Sequence, residues 1–212
     1  MNIAVKLLQQ YTPTFVKKWA LHDLFVATAA AFGCTAPPDK GLAYRACLRL
    51  YARFTQGQVE AMIRDGCDLA AVEQRLYEDA RQLGEKYARL LHIRSQAEMM
   101  VVGRLLYGML EIDFQSDAQG DVVIRRCYFS PFYTGPICRV MSAMDRGLFA
   151  GLSQGGQLCF AARITEGAPC CLARFTLPER VSASLASDQA IGDDYSLTLH
   201  RYSRNTEHTE ER

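Results

Sequence analysis

Five of the chain's eight cysteines fall between Arg126 and Phe175, where Cys127, Cys138, Cys159, Cys170 and Cys171 surround Asp145 and a Gly155-Gly156 turn. A thiol becomes a nucleophile when a positive neighbour or a helix N-terminus lowers its pKa. Cys138 stands just after Gly135-Pro136, where a helix is expected to begin, because proline suits the first helical turn. Asp145 follows seven residues later, two helical turns on, so thiol and carboxylate can share one face. Arg126 precedes this stretch and Arg139 lies within it, and the planar guanidinium is suited to holding a carboxylate. Tyr128, Phe132 and Tyr133, set among Pro131, Gly135 and Pro136, read equally as core packing and as a loop lining a binding pocket. Each residue also has a purely structural role open to it. A buried cysteine is commonly a small apolar side chain, and Asp145 could pair with Arg146 or Arg139 near the surface.

Other chemistries start from the same residues. Cys127, Cys138 and Cys171 could converge as thiolates on zinc or an iron-sulfur cluster, although no compact C-x-x-C pair supports this. The adjacent Cys170 and Cys171 on a strand point to opposite faces, so only one can join a common site. Apart from that alternative, no cofactor is expected. No histidine lies near the cysteines in sequence, and His92, at a helix C-terminus, is the first to test as a partner for a thiol.

Helices must position these groups. Phe15, Val16, Trp19, Leu24, Phe25 and Thr28 recur at helical spacing until Gly33, Pro37 and Pro38. A second helix is predicted from Asp39 to Arg64. A third opens on Asp68 as N-cap and carries Val72, Leu76, Ala80, Leu83 and Tyr87 three or four apart. Ser95 and Glu98 have capping-box spacing ahead of the apolar MMVVGRLLYGML, whose Gly103 and Gly108 predict close backbone packing. Beyond Glu111 the period changes. IDFQ and VVIRRCYF predict a hairpin, residues 136 to 152 a helix, and QLCFAARI with CCLARFTL a second hairpin.

The expected fold is therefore α+β, with about four helices in residues 1–111, an antiparallel sheet of two hairpins with an inserted helix in 112–181 sharing their core, and a polar tail, 182–212, with one short strand in YSLTLHRY. A net charge of +1, from 24 basic and 23 acidic residues, gives no global field to favour nucleic acid or an anionic membrane. The apolar run from Leu24 to Cys34 is too short to cross a bilayer, which takes about 20 residues. The N-terminus lacks the apolar core and cleavage site of a signal peptide, so the expectation is a cytoplasmic protein with mostly free thiols. A small-molecule ligand is the expected partner, and a homodimer through the helices is the remaining one.

The order of Cys127, the aromatic SPFYTG loop, Cys138 with Asp145 on a helix, and the ending ARITEGAPCCLARF resembles the L-2-amino-thiazoline-4-carboxylic acid hydrolase family. The ending is also similar to vinyl-reductase-like ligand-binding domains. The resemblance runs over Leu48 to Leu177 and is specific in its last third. It departs at Tyr128, where many relatives would carry a Cys-Pro pair. It implies hydrolysis of a small cyclic carbon-nitrogen compound, with Cys138 attacking the amidine-like ring carbon. Asp145 would accept from a ring nitrogen, and Arg126 or Arg139 would hold the carboxylate. The second similarity implies instead a noncatalytic sensor for an apolar or tetrapyrrole-like ligand, which requires a larger and mainly apolar cavity.

Overall fold

The computed structural model describes residues 10–117 and 119–177. The expected tail, its short strand, His200 and His208 lie outside the described residues. Helix α1 (Thr14–Ala31) starts without a side-chain cap and buries Leu21, Phe25 and Thr28. Helix α2 (Tyr44–Arg64) begins five residues later than predicted, and the Asp39 carbonyl instead accepts from Leu42 N–H in a turn at 3.2 Å. Helix α3 (Leu69–Leu90) is capped by Asp68, whose Oδ1 accepts from the N–H groups of Ala70 and Ala71. Ser95 caps α4 (Gln96–Met109) through Glu98 N–H at 3.2 Å, and Glu98 reaches back to Arg94 N–H at 2.9 Å. These caps satisfy donors that the helices cannot satisfy internally.

Strands β1 (Phe114–Ser116) and β2 (Asp121–Ile124) form the first hairpin, α5 (Gly135–Ser153) follows, and β3 (Gln157–Ala162) with β4 (Cys171–Thr176) forms the second. All pairings are antiparallel, in the order β1-β2-β4-β3. The chain is α+β, with the helical part first. The register sets Phe114 opposite Ile124, Ile124 opposite Cys171 and Val122 opposite Ala173. These residues are buried in the same core as Tyr107, Phe149 and Leu158, so helices cover one face of the sheet. Strand β2 is shorter than predicted. It stops at Ile124, and Arg125 to Tyr133 run through turns that bring the aromatic loop back over the core.

Helix α5 is pressed against α3 backbone to backbone. A Cβ placed on Gly147 would stand 2.0 Å from the Tyr77 carbonyl oxygen, one on Gly151 2.0 Å from that of Arg81, and one on Gly84 2.3 Å from that of Leu148. No side chain larger than hydrogen fits this crossing. Gly103 is also required, because its Cβ would fall 2.8 Å from the Phe149 ring. Gly108 corrects the prediction: it is exposed, and nothing lies within 4 Å of a Cβ there. No described helix is long and apolar enough to cross a membrane.

Candidate functional site

A cavity of about 120 Å³ lies where α1 to α5, strands β2 to β4 and the aromatic loop meet. Its walls are mostly aliphatic and aromatic. One stripe of α5 supplies Cys138, Met141, Ser142, Asp145 and Leu148, at the three- and four-residue spacing that keeps side chains on one helix face. Cys127 reaches the cavity from the loop and Cys171 from the pleat of β4. The structure thus brings Cys127, Cys138, Cys171 and Asp145 to a single hollow.

Asp145 lies deep in the protein and keeps accessible area only because it faces the void. Burial raises its pKa to about 6, against the pull of the Tyr107 hydrogen bond and the positive Arg163 and Arg146. The Tyr107 hydroxyl donates to Oδ1. Among the described residues no group donates to Oδ2. The expected surface pairing with Arg146 or Arg139 does not occur: Arg146 is bonded to Glu73 at 2.9 Å, and Arg139 to Glu166 at 2.9 Å.

The thiols are held protonated. Desolvation pushes Cys127 up to about 12, and nearby Asp145, Cys171 and Cys138 add to the rise. Cys138 is raised chiefly by burial and then by Asp145, while Thr165, Arg163 and Ser142 hold it back. It sits one turn inside α5, and its own N–H is already bonded to the Thr134 carbonyl at 2.9 Å, so the helix N-terminus does not present a free donor to the sulfur. Cys171 is raised by desolvation, although its sulfur accepts from Ile164 N–H at 3.4 Å.

The arginines differ from the sequence expectation. Arg126 is exposed, and Arg139 is 58% exposed; neither lines the cavity. Arg163, just beyond β3, takes that place. Its Nε donates to Ser142 Oγ at 3.4 Å, its guanidinium lies over the Phe160 ring at 5.1 Å, and Glu166 stands 3.9 Å away. Tyr107 and Arg163 were both missed. A lone hydroxyl in the apolar α4 segment was the available signal for Tyr107, since a buried tyrosine needs a partner.

The aromatic loop divides. Tyr133 lines the cavity, with its hydroxyl 2.5 Å from Thr55 Oγ1, and Phe129 stacks on it at 5.5 Å. Tyr128 and Phe132 turn outward: Arg53 covers the Phe132 ring at 5.5 Å, and Tyr128 lines a surface groove beside Arg45 and Arg49. His92 is exposed at the end of α3 with φ 51°, and His22 is bound to Asp39 at 3.2 Å, so neither reaches the thiols. Among the described residues no three histidine, cysteine or acidic side chains gather in metal-binding geometry. Cys127, Cys138 and Cys171, the thiols of the alternative metal reading, all line the one cavity, Cys127 from the loop, Cys138 from α5 and Cys171 from β4.

Compared with protein-family models, with curated proteins and with solved structures, the chain matches none.

Proposed function

We propose that the chain is a small-molecule-binding domain whose ligand, a compact molecule about one ring in size, occupies the cavity against Asp145. The observation that carries this reading is an apolar hollow of about 120 Å³ with a single buried carboxyl on its wall. An apolar cavity of ~150 Å³ accommodates benzene, so a hollow of this size suits a five-membered ring. A tetrapyrrole, with four such rings, exceeds this volume several-fold, which favours the compact ligand over that form of the sensor reading. Eight free thiols support a reducing compartment such as the cytoplasm.

A hydrolase acting on an aminothiazoline carboxylate is the second reading. It is favoured by Cys138 and Asp145 sharing one wall, and weakened by a thiol that burial keeps protonated at neutral pH. Thermal-shift measurements with single-ring compounds test the first reading. A ligand that raises Tm should lose its effect in Leu110→Phe, which fills the hollow from a half-buried wall position. Absence of any shift across the compounds would overturn the binding reading. Turnover of the thiazoline that disappears in Cys138→Ser, with the fold kept, would install the hydrolase in its place.

A further inference from the structure

Resting on the binding reading, we infer that the ligand is an organic cation: a compact amine or amidinium whose N–H group bonds Asp145 while aromatic faces surround its charge. Tyr51, Tyr107, Phe129, Tyr133 and Phe160 all line the hollow that Asp145 faces. Tyr51 meets Phe129 edge-on at 5.8 Å, and Phe129 stacks on Tyr133, so part of the wall is a fixed aromatic corner. Ring faces carry negative potential and attract a cation, most strongly where water is excluded.

The hydrogen-bonding capacity that Asp145 offers a ligand has the same sign. An ionised carboxylate only accepts, and it has about four lone-pair positions. Asp145 receives the Tyr107 proton on Oδ1, and among the described residues nothing donates to Oδ2. Arg163, the cation on the wall, is instead engaged by Ser142, Phe160 and Glu166. A ligand N–H therefore meets a vacant acceptor, whereas a ligand anion meets a guanidinium that already has neighbours and a carboxylate that repels it.

Binding is proton-linked. The groups facing Asp145 are Tyr107 from α4, Tyr51 from α2, Arg146 on its own helix, Arg163 beyond β3, and the thiols of Cys127, Cys138 and Cys171. The tyrosines and these thiols have raised pKa values and stay neutral near pH 6. Asp145 is then the group in this set that changes charge as pH falls through about 6.

The test compares three probes of similar size by protein-observed NMR at millimolar concentration: pyrrolidine, protonated at every pH used, neutral tetrahydrofuran, and anionic cyclobutanecarboxylate. Pyrrolidinium is expected to bind at least tenfold more tightly than tetrahydrofuran at pH 8, with its shifts centred on the cavity residues. That preference should shrink between pH 7 and pH 5 and fall to the small part the rings supply, no more than about threefold, in Asp145→Asn. The wild-type pH series carries the test if this variant fails to fold. Equal binding of pyrrolidinium and tetrahydrofuran, or preference for the carboxylate, would overturn the cation assignment and leave the binding reading standing. Cavity shifts from none of the three would overturn both.

Discussion

Helix α5 has two faces made for opposite purposes. Toward α3 it presents Gly147 and Gly151, and the two backbones touch. Toward the cavity it presents Cys138, Ser142 and Asp145, and leaves space. The seam gains dispersion contacts from close packing, while the cavity wall forgoes them and also holds a carboxyl that would be better solvated in water. One helix can do both because its 3.6-residue period separates the faces. The seam fixes the helix so firmly that the opposite stripe can keep an unfavourable group in place.

The largest effect is expected from filling the seam. Gly151→Ala places a methyl group against backbone atoms that cannot move aside, and should destabilise the protein by about 3 kcal/mol or more, or abolish folding. Chemical denaturation measures this, and a loss below about 1 kcal/mol would show that the helices can separate without cost.

Asp145→Asn tests the other face. Because folding raises this carboxyl's pKa from 3.8 to about 6, its contribution to stability is fully present below pH 3.8 and is lost as pH rises through 6. Replacing it with a neutral amide removes that loss. The variant should be more stable than the parent above pH 6, by on the order of 3 kcal/mol, and should show less dependence on pH between 4 and 6. Urea titrations across this range give the comparison. A variant less stable at pH 8 would mean that the Tyr107 bond and Arg163 outweigh desolvation.

Smaller effects calibrate the helices that frame both faces. Asp68→Ala removes the α3 cap and should cost about 1 kcal/mol in a denaturation midpoint. Gly108→Ala should instead stabilise by roughly 0.5 kcal/mol, since the position is helical, exposed and uncrowded. Gly103→Ala, five residues earlier, should destabilise against the Phe149 ring, and the opposite signs would confirm that packing decides between the two glycines.

The same two glycines show how far the sequence could be read. Apolar spacing located the helices, and changes of period located both hairpins, because those signals are local. Gly103 and Gly108 look alike in sequence and differ only in what another helix brings opposite them. The importance of Gly84, Gly147 and Gly151 was invisible for the same reason. At the site, the spacing of Cys138 and Asp145 was legible since both lie on α5. Tyr107, 38 residues before Asp145, enters through tertiary packing. Among Arg126, Arg139 and Arg163, the choice depended on where β2 ended and which way α5 turned, and neither was written locally. Tyr128 and Phe132 alternate with Phe129 and Tyr133 between outside and inside, a division set by the turns after β2.

The protonated thiols give the molecule a property of its own. Cys34, Cys67 and Cys159 are exposed, whereas Cys127, Cys138 and Cys171 stand around the hollow with their ionisation suppressed. An alkylating reagent should therefore modify the outer sulfurs in the native molecule and reach the inner ones at the pace of structural opening. The chain carries its own clock for the breathing of its interior, and a bound guest that tightened the walls would slow it.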